Sequence, residues 1–400
     1  MKVRLKDAFD LQMGKTPARN MPAYWDGEHK WISIADIGCS GKYITTTKER
    51  ITDKAITESG IRAVPARTVI MSFKLSIGKT AITSEEMYTN EAIMAFVNKE
   101  TYDIDTDYLY HLCCGTEWTE GTNKAVMGLT LNKATLSEKR ISLPEISEQR
   151  SIAAKFDELD SIIEKTQAEL SALDQLVKSR FIEMFGDLAN PACEWPQVKL
   201  VEACADPDDI KCGPFGTQLS KDEYRHEGIA LWEIPQINMQ FRAKPTHYLD
   251  CDKAAELDAY SIRPGDIAMS RKGNVGRCAV FPDNYVPGII HSDVLRIRMD
   301  SGKVAPVFMM YQLHYSGGVQ RQIEQVSSGA IMAGINVTKL KSITVHLPPL
   351  ELQNHFATLV AQTDKSKFRI QKSLSTSRKL WTMAQIDAIM NMDFSTQRSL

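Results

Sequence analysis

The most constraining feature of this 400-residue sequence is that it repeats itself. Residues 132–153 recur as residues 336–357 at a shift of 204, and residues 77–82 match residues 275–280 at a shift of 198. Because the matches keep the same order while the shift drifts by only a few positions, duplication explains them better than coincidence. We therefore predict two copies of one unit in series.

Composition excludes several classes of protein. With 43% hydrophobic and 24% charged residues, the chain can build real cores and is neither disordered nor disulfide-stapled. None of its eight cysteines forms a Cys-x-x-Cys pair, which disfavours a zinc site and predicts reduced thiols. A net charge of -2 argues against a polybasic tail, so local patches must decide what the chain binds.

The sequence also predicts a cytoplasmic location. Residues 1–10 alternate charged and apolar side chains, unlike a secretory signal. The uncharged run 304–320 contains Gln312, His314 and two glycines, so we expect no membrane span.

Each copy begins with a strand-rich part. Short alternating runs such as residues 68–72 and 293–298 lie between clusters of glycine and proline that are typical of turns. These patterns predict globular domains over residues 1–143 and 190–347.

A long helix follows each domain, over residues 144–189 and 348–400. Residues 147–185 contain no proline or glycine, and apolar residues recur there at steps of four and three from Ile152 to Met184. Such a helix would be about 60 Å long. The second seam, from Phe356 to Ala388, is interrupted by three polar residues. The interruptions are Thr363, Lys367 and Ser377.

Neither stripe can be buried by its own helix, so the simplest arrangement packs the two helices on each other. We expect an antiparallel coiled coil related by an internal pseudo-twofold, with a globular domain at each end. The predicted fold class is α+β, with two strand-rich α/β domains joined by this pair. The alternative is that each helix covers only its own domain.

Signatures of catalysis are absent from the sequence. There is no phosphate-binding Gly-x-x-x-x-Gly-Lys-Ser/Thr loop, no Gly-x-Ser-x-Gly elbow and no Asn/Asp-Pro-Pro-aromatic tetrad. Residues 273–276 form a Gly-x-x-Gly, but strand-like flanks favour a hairpin turn over a KH-type clamp. Asp266 and Lys272 could suggest a nuclease pair, yet no second acidic ligand has convincing spacing.

Both copies place a basic cluster at the matched hairpins. Residues 61–80 hold four cations and no acid, and residues 261–280 hold four cations against Asp266 alone. Such clusters suit contacts to DNA phosphates or guanine, whereas the alternative is solvated surface charge. Trp25, Trp31 and Trp232 could stack on bases or belong to the core.

Several short motifs stand out along the chain: Met-Gly-Lys-Thr-Pro at residues 13–17, Tyr-Trp-Asp-Gly at 24–27 and Trp-Ile-Ser-Ile-Ala-Asp-Ile at 31–37. These motifs resemble the opening of a target recognition domain in type I restriction-modification specificity subunits. Residues 213–219 and 263–267 are similar to further strings of the same domains. Two proline-glutamine junctions, each placed before a long helix, look like the family's spacer regions. The residues that carry them are Leu143-Pro144 to Arg150 and Leu347-Pro348 to Asn354.

This resemblance implies a subunit that binds double-stranded DNA and does no chemistry itself. Each domain would read one half of a split, asymmetric site. Two methyltransferase subunits, which use S-adenosylmethionine, would dock on the chain, and restriction subunits that need ATP and Mg can add to that core. No cofactor is expected on this chain.

The candidate site residues follow from the clusters and the resemblance. The predicted DNA contacts are Lys15, Arg62, Lys74, Lys79, Arg263, Arg271, Lys272, Asn274 and Arg277. The resemblance implies partner contacts at Gln149, Arg150 and Gln353. Because the second junction differs in sequence from the first, the two docking sites are expected to differ in strength. A self-sufficient nucleic-acid enzyme and a coiled-coil protein adaptor remain the alternatives.

Overall fold

The computed structural model describes residues 1–39, 41–74, 76–118, 124–125, 128–129, 131–188, 190, 193–327 and 334–390. The chain separates into two compact units. Unit 1 comprises residues 1–167 and 372–400, and unit 2 comprises residues 168–371. Each unit therefore contains one strand-rich domain and part of each long helix.

In its described residues, unit 1 contains short strands, short helices and parts of both long helices. Its strands are β1 (Lys2–Arg4), β2 (Phe9–Met13), β3 (Trp25–Ile32), β4 (Tyr43–Ile44), β5 (Glu49–Ile51), β6 (Val69–Ser72), β7 (Thr80–Thr83), β8 (Tyr88–Thr89), β9 (Ile93–Asn98), β10 (Lys124–Ala125), β11 (Gly128–Leu129) and β12 (Arg140–Ser142). Its helices are α1 (Leu5–Ala8), α2 (Ile34–Cys39), α3 (Asp53–Ser59), α4 (Thr106–Gly115), α5 (Lys133–Glu138) and α6 (Ile146–Phe185), of which α6 continues into unit 2.

Unit 2 has the same kind of inventory. Its strands are β13 (Gln197–Lys199), β14 (Ile210–Cys212), β15 (Ile229–Trp232), β16 (His247–Leu249), β17 (Ser261–Ile262), β18 (Ile267–Ser270), β19 (Cys278–Val280), β20 (Gly288–Ile290), β21 (Val294–Ile297) and β22 (Thr344–His346). Its helices are α7 (Ile234–Asn238), α8 (Cys251–Glu256), α9 (Pro306–Tyr315), α10 (Gly317–Ser327), α11 (Val337–Lys341) and α12 (Leu350–Met390), of which α12 continues into unit 1.

The sheets show that the sequence repeat is a repeat of topology. The main sheet runs β2-β9-β6-β7-β4 in unit 1 and β14-β21-β18-β19 in unit 2. The second sheet of unit 1, β5-β3-β8, corresponds to the second sheet of unit 2, β16-β15-β20-β17. Each of these sheets contains one parallel pair, which is β3 with β8 in unit 1 and β15 with β20 in unit 2. The predicted mixed α/β class, with two sheet-rich domains and long helices, is confirmed.

A two-stranded ribbon closes each domain just before its long helix. β1 pairs antiparallel with β12, which places Val3 opposite Ile141, and β13 pairs antiparallel with β22, which places Val198 opposite Val345. The ribbon ties the first strand of the domain to the last, so the helix that follows starts from a fixed point.

Local capping repeats as well. The Asn132 side chain accepts from the amide of Thr135 at the start of α5, and the Asn336 side chain accepts from the amides of Thr338 and Lys339 at the start of α11. Each cap satisfies amides that the first helical turn leaves without a partner.

The long helices carry the predicted seam. The predicted positions of α6 from Ile152 to Met184 are all buried or half-buried. In unit 2, Phe181 contacts Phe356 while Asp174, earlier in α6, contacts Lys367, later in α12, so the helices run antiparallel there. In α12 the buried seam includes Thr363, Lys367 and Leu374. The last seam positions, Ala384 and Ala388, lie outside the described side chains.

The helices also belong to the domains, as the alternative interpretation proposed. In unit 1, Phe156 of α6 stacks on His111 of α4 and contacts Trp381 of α12. In unit 2, Phe181 and Phe185 pack against Phe308 of α9. Helix-helix packing and domain-helix packing therefore share the same seam residues.

Candidate nucleic-acid interface and helix junctions

Two of the four cations in the basic cluster of unit 1, Lys74 and Lys79, lie on the loop between β6 and β7. Ser72 donates its amide to the Lys79 carbonyl at 2.8 Å, and Gly78 donates to the Ser72 carbonyl at 2.9 Å. Lys79 is exposed, and Lys74 Nζ lies 5.3 Å from the ring centre of Phe73. Two predicted DNA contacts thus share one tight loop.

Unit 2 repeats this loop between β18 and β19. Ser270 donates its amide to the Arg277 carbonyl at 2.7 Å, and Gly276 donates to the Ser270 carbonyl at 3.0 Å. The strands pair antiparallel, with Ile267 opposite Val280. The predicted hairpin is confirmed, because strands and not helices flank the Gly-x-x-Gly.

The side chains of this second loop point to different partners. Arg271 donates from Nε to the Ile335 carbonyl at 3.1 Å, and Lys272 Nζ lies 2.8 Å from Asp293 Oδ1. Asn274 is exposed. Arg277 instead donates to the Asn238 carbonyl at 3.1 Å and lines a cleft of about 530 Å³ beside the long helices. Lys272, Asn274 and Arg277 are exposed and Arg271 is half-buried, and each of the three cations contacts a group inside the unit.

The remaining predicted cations lie outside the two loops. Lys15 donates to the Ser59 carbonyl, Arg62 lies 2.9 Å from Asp10, and Arg263 is exposed beside the turn that Asp266 caps. Asp266 itself is buried and forms two hydrogen bonds with Arg298, at 2.7 and 2.8 Å. An occupied carboxylate of this kind explains why no nuclease pair forms with Lys272.

The tryptophans divide between core and surface. Trp31 and Trp232 are buried, which supports the core interpretation for both. Trp25 is half-buried, with the Arg19 guanidinium 4.0 Å from its ring centre. Phe215, Tyr315 and Phe368 are exposed aromatic side chains that the sequence did not single out. Of these, Phe215 lies in the Gly-Pro-Phe-Gly sequence of residues 213–216, which is typical of a turn, and 52% of its surface is accessible.

The two junction glutamines make the same hydrogen bonds in both units. Gln149 accepts from the Asp105 amide at 2.9 Å and donates to the carbonyls of Asp103 and Pro144, both at 2.9 Å. Gln353 accepts from the Ala305 amide at 2.9 Å and donates to the carbonyls of Lys303 and Pro348 at 3.2 and 2.7 Å. The exposed fractions of Gln149 and Gln353 are 1% and 0%.

Each glutamine therefore fastens the first turn of a long helix to the loop before α4 or α9. Its amide is fully used inside the chain, a role that the sequence did not reveal. The contact of these positions with a partner stays a prediction. Arg150, the third residue predicted for partner contact, is 70% exposed and lies 3.8 Å from Asp105.

Unit 1 fastens its domain to α6 with charged groups. Lys42 Nζ lies 2.8 Å from Asp107 and 2.5 Å from Asp157, and His111 Nε2 lies 2.8 Å from Asp157. Burial lowers the pKa of His111 below its ordinary value, although the hydrogen bond with Asp157 opposes that shift. Burial also raises the pKa of Asp160, which lies three residues further along α6. We call Lys42, Asp107, His111 and Asp157 the ionic clasp.

Unit 2 uses aromatic rings in the corresponding place. Phe181 and Phe356 contact the ring of Tyr311, and Phe308 stacks on Phe181. The position of Tyr311 in α9 matches that of His111 in α4. Burial raises the pKa of Tyr311, so its hydroxyl stays protonated at neutral pH. The same duplicated junction is thus held by ionic contacts in one copy and apolar contacts in the other.

The described residues also bear on metal binding and membrane insertion. No group of three or more His, Cys, Asp or Glu within them could hold a metal ion. No helix in the part of the chain that the structure describes is long and apolar enough to cross a membrane.

Comparison with known proteins agrees with the duplicated architecture. A family model described as "Type I restriction modification DNA specificity domain" matches residues 1–175. The type I restriction enzyme MjaIX specificity subunit of Methanocaldococcus jannaschii is 28% identical over 188 residues, which are 46% of this chain and 43% of that protein. The MjaVIII specificity subunit of the same organism is 21% identical over an alignment of 98% of this chain and 94% of that protein.

Solved structures share the fold over nearly the whole chain. One is a chain from a structural study of complex assembly and conformational transition of the type I R-M system, with a TM-score of 0.60, 18% identity and 97% coverage of both chains. Another is the S subunit of a type I restriction-modification system from M. genitalium, with a TM-score of 0.57, 13% identity and coverage of 97% of this chain and 96% of that one.

Proposed function

We propose, from its similarity to type I restriction-modification specificity subunits, that the chain recognises a bipartite, asymmetric DNA site for a methyltransferase complex. It is a specificity subunit and not an enzyme in its own right. The observation that carries the proposal is the duplicated basic hairpin, one copy in each unit, on an otherwise slightly acidic chain.

Different side chains on the two hairpins support an asymmetric site. Unit 1 offers Lys74 and Lys79, whereas unit 2 offers Arg271 and Lys272 beside Asn274. Lysine acts as a point charge toward phosphate, whereas arginine can donate two parallel hydrogen bonds to guanine O6 and N7. Two readers with different donors select different half-sites, spaced by about one helical turn, roughly 34 to 36 Å.

Partner subunits supply the chemistry in this proposal. Two methyltransferase subunits that use S-adenosylmethionine dock near the helix junctions, and restriction subunits that use ATP and Mg add to that core. Because Gln149 and Gln353 are occupied inside the chain, docking there involves their exposed neighbours, Arg150 in one copy and Asn354 in the other. The different neighbours are a reason to expect docking sites of unequal strength.

The test uses the chain assembled with its methyltransferase subunits and a duplex that carries the methylated motif mapped in the host genome. The double reversal Arg271→Glu and Lys272→Glu should weaken binding to that duplex at least about ten-fold, since each good base contact is worth about 1 to 3 kcal/mol. The matched control is Lys365→Glu with Arg369→Glu, which changes the net charge equally at exposed positions of α12.

Each result decides between the candidate functions. Unchanged binding by the Arg271 and Lys272 variant removes the basic hairpin from DNA recognition. An assembled complex that does not distinguish the motif from other DNA favours a protein adaptor. Methyl transfer by the chain alone would falsify the proposal in favour of a self-sufficient enzyme.

A further inference from the structure

Phe215 stands on a turn whose tip is open to solvent. The side chain is 52% exposed, and a Cβ placed on the next residue, Gly216, would meet nothing within 4 Å. A single exposed apolar side chain is common on protein surfaces. The case for a ligand at Phe215 therefore depends on the rigidity of its turn and on the cation beside its ring.

The turn is held rigidly from both sides. The backbone N–H of Gln218 donates to the Phe215 carbonyl at 2.7 Å, and the Gln218 side-chain oxygen accepts from the Phe215 backbone N–H at 3.3 Å. Before the turn, the backbone at Gly213 lies very close to the segment around His291. A Cβ on Gly213 would lie 2.3 Å from the His291 carbonyl oxygen. Pro214 is buried and has a restricted backbone. The ring is therefore presented at little cost in conformational entropy on binding.

A cation lies next to the ring. The Arg271 guanidinium carbon lies 5.0 Å from the ring centre of Phe215, within the range of a cation-π contact. Arg271 uses Nε on the Ile335 carbonyl at 3.1 Å and Nη1 on the Ser292 carbonyl at 3.5 Å. A guanidinium has five N–H donors, so part of its fork stays available for an oxygen beside the ring.

We propose that Phe215 is an aromatic wedge that stacks on or opens a base step in the half-site read by unit 2, while Arg271 contacts the same step. The ligand that matches a flat apolar ring beside a cation is the nucleic-acid base with its phosphate, since bases offer π faces and the backbone offers charge. This inference rests on the proposed function and adds a recognition element to it.

The wedge belongs to one copy only. Gly14 donates its amide to Ile93 as Gly213 does to Val294, so the two loops correspond, and two residues later unit 1 has Thr16 where unit 2 has Phe215. The Thr16 hydroxyl donates to Glu91. A threonine held in this way cannot stack on a base, so base stacking is expected in one half-site and not in the other.

The experiment compares Phe215→Ala, Phe215→Tyr and Val286→Ala in the assembled methyltransferase complex. Val286 is 75% exposed in the same unit and serves as the control for loss of a surface apolar group. Phe215→Ala should weaken binding to the mapped duplex about ten-fold or more with unchanged melting temperature of the free chain. Phe215→Tyr should restore binding, and Val286→Ala should not affect it.

A second readout reports the base step directly. The fluorescent base 2-aminopurine, placed in turn at positions of each half-site, should brighten on binding in one half-site only, and Phe215→Ala should abolish that signal. Arg271→Ala and Phe215→Ala together should cost less than the two separate losses combined, because they act on one step.

The following outcomes overturn the wedge. Wild-type affinity and wild-type 2-aminopurine signal in Phe215→Ala show that the ring does not touch bases, while motif-specific binding by the same complex leaves the proposed function intact. Loss of methyltransferase assembly in Phe215→Ala, with DNA binding normal once assembled, assigns the ring to a protein partner. A complex without motif-specific binding rejects both the wedge and the proposed function.

Discussion

Lys367 of α12 places its Nζ 2.6 Å from Asp174 Oδ1 of α6, between the two long helices of unit 2. Lys367 is only 7% exposed although it occupies a seam position between apolar neighbours. Its stem lies in the seam, and its charge reaches the partner helix at the rim. A polar residue of this kind can fix which residues of two helices face each other.

Replacing Asp174 or Lys367 should show how much their ion pair contributes to the free energy of unfolding. Asp174→Asn should reduce the free energy of unfolding by about 1 kcal/mol or less, because the carboxylate is largely exposed. Lys367→Met should be neutral or stabilising, since an apolar seam residue avoids the desolvation of a charge. Denaturant titration checks both values, and a loss of several kcal/mol in Lys367→Met would contradict this account.

Gln149 and Gln353 should contribute more to the free energy of unfolding than the surface contacts near them. Gln149→Ala or Gln353→Ala leaves one amide and two carbonyls without a partner, and each lost hydrogen bond costs about 1 kcal/mol. We expect a loss of about 2 to 3 kcal/mol in each variant by denaturant titration. Arg150→Ala, on the exposed side of the same turn, should cost less than about 0.5 kcal/mol. Equal losses at Gln149 and Arg150 would argue against a role for Gln149 in fastening the helix to the domain.

The duplication and the long helices could be predicted from the sequence, because both depend on local patterns of residues. A seam of apolar residues without proline or glycine predicts a long helix wherever it lies, and the two matched segments predict equivalent elements. The buried role of Gln149 could not be predicted in this way, since a glutamine at a helix start looks like surface. Only the loop before α4 shows that its amide is enclosed.

The ionic clasp escaped prediction for the same reason. Lys42, His111 and Asp157 are far apart in the sequence, and none has a spacing that marks a site. Phe215 was visible as part of a Gly-Pro-Phe-Gly turn, but exposure is a property of the fold. The basic hairpins were predictable because two clusters at matched positions form a pattern, which single residues do not.

A matched pair of glycine substitutions tests how firmly the Phe215 turn is held. Gly213→Ala would put its Cβ 2.3 Å from the His291 carbonyl oxygen, so the backbone must shift. We expect a loss of about 2 to 4 kcal/mol on unfolding and a further loss of DNA affinity. Gly216→Ala meets open space and should change stability by less than about 0.5 kcal/mol. Differential scanning calorimetry of the two proteins gives the comparison, and equal melting temperatures would show that the loop is not clamped at Gly213.

His111 makes the stability of unit 1 depend on pH. Its pKa is lowered in the folded chain, mainly by burial, so the unfolded chain takes up the proton first as the pH falls below about 6.5. The free energy of unfolding should therefore decrease from pH 7 towards pH 5, and the decrease should level off once the folded histidine is protonated too.

The groups that face this ring set the size of the effect. Asp157 lies 2.8 Å from His111 Nε2 and Asp160 lies 3.9 Å from Nδ1, and both favour the charged form, whereas Lys42 opposes it. His111→Phe keeps an aromatic ring against Phe156 and should flatten the pH dependence between pH 7 and 5. His226→Gln, at an exposed position, should leave the wild-type slope. The measurement is a series of denaturant titrations at half-unit steps of pH. A variant at His111 that keeps the full wild-type slope would assign the pH dependence to other groups.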